Sequence, residues 1–294
     1  MNDKKAILFA VTAALFWSTV ATVFEKALMH YNVLEMLLYS SIFSFLILSI
    51  VGIGKGVFLT TFQVGGKYHF RSVILGALNP AIYYLVLFKA YDLLPAQEAQ
   101  TLNYSWSIAV VLLSAVLLKQ KLRFINIFAL LISFGGVIVI ATKGSPFSLE
   151  FENPLGVMLA LGSAVFWAFY WVLNVKDKRD NLSKLILNFF YGTILIIILN
   201  IIFYEGFSEI SPNILYCIYI GFFEMGLTFI IWLAALKYAS NTAKVGNIIY
   251  LSPFLSLFWI NLFLGEEILP ATIIGLAMII GGIVIQSRVK ADIR

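Results

Sequence analysis

Ten long apolar runs follow one another along this chain, at 6–25, 33–53, 72–91, 97–118, 124–142, 155–175, 184–204, 214–236, 242–264 and 270–287. A helix rises about 1.5 Å per residue, so a run of roughly 20 residues crosses a hydrocarbon core about 30 Å thick. A β-barrel would instead read as stretches of about ten residues with alternating polarity. Only 12% of the 294 residues are charged, half the roughly 25% of a typical soluble domain, so a soluble fold would lack its polar surface. The expectation is an all-α integral membrane protein with ten transmembrane helices. The first run has no small-residue exit and nine runs follow it, so it reads as an anchor rather than a cleaved signal.

Charge then orients the runs. With the N-terminus in the cytoplasm, the cytoplasmic segments hold 17 of the 20 basic residues, and only Lys26, Lys89 and Lys143 fall outside. Ten acids lie outside, among them Glu25, Asp92, Glu98, Glu266 and Glu267. By the positive-inside rule both termini are expected in the cytoplasm, and the location is the cytoplasmic (inner) membrane. The net charge of +5 is therefore a topology signal spread over six loops, and nucleic acid is excluded as a partner. One cysteine, Cys217, and two histidines, His30 and His69, leave no disulfide or thiolate metal cage and little for any metal site. No cofactor is expected.

The two halves repeat each other. Ala14-Leu15-Phe16-Trp17 returns as Ala164-Val165-Phe166-Trp167, 150 residues on, and Lys26 falls on Lys176. Gly135-Gly136-Val137-Ile138 returns as Gly281-Gly282-Ile283-Val284, and Tyr104 falls on Tyr250. Each half, 1–144 and 145–294, carries five runs. An odd number of crossings starts the second copy from the opposite side, so the expected architecture is two inverted five-helix repeats. Such pairs exchange conformations around a site near the bilayer midplane, which is the physical basis of alternating access.

This five-plus-five arrangement resembles the drug/metabolite transporter superfamily, EamA branch. The aromatic-Trp motifs of runs 1 and 6, the Gly-Gly close of each half and the stretch from Leu251-Ser252-Pro253-Phe254 to Leu264-Gly265-Glu266-Glu267 carry the resemblance. Glu98 with Asn103-Tyr104-Ser105-Trp106, and Leu15-Phe16-Trp17-Ser18-Thr19, are similar to the aromatic amino-acid exporters, although Ser107 stands where that subgroup usually has proline. The resemblance implies a substrate cavity among runs 1, 3, 4, 6, 8 and 9, with Trp106 and Trp167 at it.

Residues at membrane depth point the same way. Glu224 is the one acid well inside a run, where even lenient scales charge about 2.5–3.5 kcal/mol. Its helical neighbours Cys217, Gly221 and Thr228 are small, which reads as a stripe facing a cavity. Glu224 is then a seat for a substrate ammonium or a proton carrier; the alternative is a neutral acid bonded to a neighbouring helix. Asn79 falls opposite Glu224, 145 residues earlier, and Pro80 follows it. It either offers amide hydrogen bonds to a substrate or satisfies the backbone that proline disrupts. Tyr83 stands one turn on. Trp167, Tyr170, Trp171 and Asn174 share one helix face, and Gln100 and Asn103 lie near Trp106. The alternative for each ring is helix packing. The residues expected around a substrate are Trp17, Asn79, Tyr83, Asn103, Trp106, Trp167, Tyr170, Glu224 and Tyr250.

No Walker phosphate loop occurs in the sequence, so a gradient of substrate or ion, a proton among the candidates, must supply the energy. The expected function is a secondary transporter of small organic metabolites, exporting aromatic or other neutral amino acids, as a monomer or homodimer. Export of cationic drugs or amines against Glu224 is the alternative. An intramembrane enzyme is a distant third, because no HExxH or GxSxG motif is present.

Overall fold

The computed structural model describes residues 2–117, 124–145, 153–203, 208–209, 211–240 and 247–287. Of the charges that orient the runs, Lys119, Lys121, Arg123, Glu150, Glu152, Glu205, Lys244, Arg288, Lys290 and Arg294 lie outside the described residues. Every regular element among the described residues is helical: α1 (Asp3–Leu28), α2 (Val33–Gly54), α3 (Phe58–Phe62), α4 (Gly66–Gly76), α5 (Tyr83–Leu93), α6 (Ala96–Asn103), α7 (Trp106–Leu117), α8 (Phe124–Ala141), α9 (Pro154–Val175), α10 (Asn181–Ile202), α11 (Ile214–Tyr219), α12 (Leu227–Tyr238), α13 (Leu251–Leu264) and α14 (Pro270–Ser287). Polar residues beside the apolar runs start these helices. The Asn2 side chain accepts from the Lys5 N–H at 3.1 Å, Asn153 caps α9 ahead of Pro154, and Asn32 forms a reciprocal capping box with Glu35, each satisfying amides that the first turn leaves unpaired.

Among the described residues eight helices are long and apolar enough to cross a membrane, the longest being Gly66–Leu93 and Asp3–Leu28. The last two runs are shorter apolar helices, Ile248–Leu264 and Pro270–Ile285, where the run lengths predict full spans. Part of run 9, 242–246, lies outside the described residues, and a tight turn over Asn247–Tyr250 occupies the next four positions ahead of α13.

Three spans are broken. Between α4 and α5 a wide turn covers Ala77–Ile82, with Asn79 extended (φ −148°, ψ 116°) before Pro80. Proline cannot donate to the helix ladder, which is why the break falls here. A second wide turn covers Ile220–Glu224 between α11 and α12. The third break separates α6 from α7 at Tyr104–Ser105.

The packing repeats itself when the halves are exchanged. α1 lies along α12 and α13, as α9 lies along α5 and α7, while α2 pairs with α10 and α8 with α14. Glycines set the closest approaches, since a Cβ would collide with the neighbouring backbone. At Gly76 it would meet the Asn188 carbonyl and the Gly192 nitrogen; at Gly221, 145 residues on, it would meet the Ser40 carbonyl and the Ser44 nitrogen. At Gly136 it would meet the Gly275 carbonyl, and at Gly282 the Ala129 carbonyl. Small residues used this way let membrane helices touch. Gly281, next to Gly282 in the chain, faces open space.

Hydrogen bonds between helix ends fix which ends meet. The Asn2 N–H donates to the Tyr238 carbonyl at 2.9 Å, and Arg71 Nη2 to the Leu173 carbonyl at 2.9 Å, at one end of the bundle. At the other, Asn153 Nδ2 donates to the Leu93 carbonyl at 3.0 Å and Asn200 Nδ2 to Leu34 at 3.2 Å. The first end carries a buried ionic clasp. The Asp177 carboxylate, fully buried, lies 2.6 Å from Arg179 Nη2 and 3.4 Å from Arg71 Nε, and Arg179 Nη2 also donates to Ser72 Oγ at 2.9 Å. Burial alone would raise the Asp177 pKa, but the hydrogen bonds and charges of Arg179 and Arg71 outweigh it and hold the carboxyl below its usual range.

Candidate functional site

A cavity of about 160 Å³ opens among α1, α5, α6, α7, α9 and α12. Its walls follow helical spacing, in which residues three or four apart share a face. α1 supplies Trp17, Val20 and Phe24; α5 supplies Tyr83, Leu87 and Tyr91; the broken α6–α7 span supplies Gln100, Asn103, Tyr104 and Trp106. Trp167 and Trp171 come from α9, Glu224, Phe229 and Trp232 from the second wide turn and α12, and Ile249 from the turn before α13. Five of the chain's six tryptophans thus converge on one space. That concentration makes flat apolar walls the dominant character of the site.

The rings brace one another. Tyr83 and Trp167 lie 4.7 Å apart between centroids, tilted by 31°. Trp17 meets Phe229 and Trp232 edge-on at 5.8 and 5.9 Å, and Trp167 meets Trp171 edge-on at 5.8 Å. These are the offset and T-shaped arrangements that ring quadrupoles favour.

The polar groups on the wall are few and partly engaged. Tyr84 donates its hydroxyl to Glu224 Oε1 at 3.0 Å, and Trp17 Nε1 donates to the Glu224 carbonyl at 3.4 Å. Asn103 accepts from the Tyr83 hydroxyl at 3.4 Å and donates to Ser163 Oγ at 2.8 Å, which ties α6 to α5 and α9. Two buried atoms on the wall have no hydrogen-bond partner, Glu224 Oε2 and Gln100 Oε1. Gln100 Oε1 accepts, while Glu224 Oε2 accepts when the carboxyl is ionised and donates when it carries a proton. Among the described residues no Lys, Arg or His lines the cavity.

The structure brings Trp17, Tyr83, Asn103, Trp106, Trp167 and Glu224 together on this wall and leaves Asn79, Tyr170 and Tyr250 off it. Asn79 is fully buried. The Tyr170 hydroxyl is set beside Asn79 and Asn188, and Tyr250 is half-buried next to Ile249. The expectation that Cys217, Gly221 and Thr228 face the cavity is corrected. Gly221 seats against Ser40 and Phe43 of α2, Cys217 is buried beside Ser40, and the Thr228 hydroxyl bonds its own chain at Phe223. Small side chains here serve close packing. The wide turn at 220–224 carries Glu224 off their face, since one additional residue rotates the rest of the helix by about 100°.

Sequence reasoning missed Val20, Phe24, Leu87, Tyr91, Phe229, Trp232 and Ile249 as wall residues. A signal existed for most: Trp17, Val20 and Phe24, and Tyr83, Leu87 and Tyr91, continue the faces of residues already singled out.

Known proteins resemble this chain along its whole length. The model of the EamA-like transporter family matches twice, over residues 4–142 and 154–288. An uncharacterized transporter of Clostridium kluyveri is 26% identical over 98% of this chain and 96% of its own. The aromatic amino acid exporter YddG of Ancylobacter novellus is 25% identical over 87% of this chain and 88% of its own. A solved crystal structure with 21% identity superposes with a TM-score of 0.67, covering 97% of both chains.

Proposed function

Since the chain belongs to the EamA-like transporter family, we propose that it is a secondary transporter of small organic metabolites, exporting aromatic or other neutral amino acids across the cytoplasmic membrane by alternating access. The observation that carries this reading is the ring-walled cavity whose two unsatisfied atoms, Gln100 Oε1 and, as the ionised carboxylate, Glu224 Oε2, can accept from a donor. An amino acid supplies an ammonium for those acceptors and, in the aromatic case, a ring for the tryptophan walls. Its size points the same way: about 160 Å³ is below the roughly 300–1,000 Å³ of sites for drug-sized ligands, which favours a metabolite over a bulky drug.

Two further observations support the mechanism. The family model matches the two halves separately, and helix pairings and glycine contacts recur when the halves are exchanged. Both accord with two inverted five-helix repeats, 1–144 and 145–294, moving around a central site. The positive-inside distribution puts the Asp3 end in the cytoplasm. Glu224 is the group on which a coupling proton would travel.

A second reading is favoured by one specific feature. The wall offers a carboxyl for an ammonium but no basic side chain for a carboxylate, which suits an aromatic amine. Purified protein in liposomes, preloaded with phenylalanine or with phenethylamine, separates the two by counterflow of the labelled compound. Phenylalanine counterflow with chemically unchanged product supports the amino-acid reading. Counterflow of the amine alone transfers the assignment to amines, and a chemically altered product would mean an enzyme.

A further inference from the structure

Asn79 and Glu224 stand 145 residues apart in the same seat of the two halves. Each lies in a wide turn, three residues after a glycine (Gly76, Gly221) pressed on the backbone of the neighbouring span. The two turns nevertheless differ. Glu224 reaches the cavity wall. Asn79, on extended backbone before Pro80, is off that wall and fully buried beside the Tyr170 hydroxyl. Equivalent positions of the two halves thus stand one on the cavity wall and one off it, the asymmetry expected of two halves in opposite conformations.

We propose that Asn79 is the substrate-facing counterpart of Glu224 in the opposite state of the transport cycle. When the halves exchange conformations, the turn at 77–82 takes the place at the cavity now held by 220–224. The Asn79 amide then enters the cavity and Glu224 withdraws. The substrate's polar end meets a carboxyl while the clasp is closed and a neutral amide once it is open, so the two states hold an ammonium with different strength. This deepens the alternating-access reading and rests on it.

Full-length protein in liposomes, with Cys217→Ala removing the one native thiol, tests the proposal by thiol labelling with methanethiosulfonate ethylammonium. Ser72→Cys, buried in the clasp by its bond to Arg179, reports opening of that end independently. Asp177→Asn weakens the clasp and raises the population of the exchanged state. In that background, labelling of both Ser72→Cys and Asn79→Cys is expected to rise by about fivefold or more, the change that ~1 kcal/mol of population shift produces. Faster labelling of Ser72→Cys with Asn79→Cys still protected overturns the Asn79 proposal and leaves alternating access standing. If neither rises, both fall together. Should Asn79→Cys not insert, Asn79→Ala serves instead, read by phenylalanine counterflow. The KM at the face opened with the clasp is expected to rise about five- to tenfold, again ~1 kcal/mol, with the KM at the other face unchanged. An equal rise at both faces overturns the proposal.

Discussion

The proposed transport chemistry turns on one side chain, Glu224. A carboxyl at membrane depth costs at least about 2.5–3.5 kcal/mol, and here it keeps one oxygen bonded to Tyr84 and the other unpaired at the cavity. Glu224→Gln preserves shape and the Tyr84 contact while removing the ability to ionise. Transport of phenylalanine is expected to fall by tenfold or more, about 1.4 kcal/mol, with insertion intact and the pH dependence flattened. An unaltered rate and pH profile in liposomes would remove Glu224 from coupling and binding alike. For the rings, Trp167→Ala deletes a partner of Tyr83, Trp171 and Phe229. It is expected to weaken binding of a ring-bearing substrate by about 1–2 kcal/mol, measured by calorimetric titration in detergent. Six of the nine expected site residues lie on the cavity wall, because a mid-span ring or polar group is visible as an exception in an apolar run. Tyr170 shares a helical face with Trp167 in the sequence, yet it turns toward Asn79 and Asn188. A helical face about 100° wide can touch two neighbours, and sequence does not say which residue touches which.

Helices and their breaks were unequally legible. Eight of the ten runs match helices long enough to span, the last two form shorter apolar helices, and Pro80 declared the break in the third. The break at 220–224 contains no proline, so its register shift was invisible, and the small stripe of Cys217, Gly221 and Thr228 was assigned to the wrong neighbour. Close helix contact explains that stripe and yields a prediction. Gly76→Val and Gly221→Val drive a side chain into backbone and should each destabilise by about 1–3 kcal/mol or more, seen as a lower midpoint in a thermal unfolding assay. Gly281→Ala, which meets open space, should leave the midpoint unchanged. Equal midpoints for all three variants would mean that these contacts do not carry the packing.

At the scale of the whole molecule, the proposed alternating access would open and close the bundle at the clasp. Asp177 has its carboxyl held below the usual carboxylate range by Arg179 and Arg71, against the upward pull of burial. Its stabilisation is therefore fully present above the unfolded value of about 3.9 and is lost only as pH falls through the lower folded value. Thermal midpoints of the wild type and Asp177→Asn are expected to differ throughout the neutral range and to converge only below about pH 4. Convergence near pH 6 would contradict the clasp. The central claim, two inverted copies threaded in opposite senses, is tested most directly by sided thiol labelling of the repeat mates Lys26 and Lys176. With an impermeant reagent on right-side-out vesicles, Lys26→Cys should label from outside and Lys176→Cys only after the membrane is opened. Labelling of both from the same face would contradict the inverted architecture and the transport mechanism built on it.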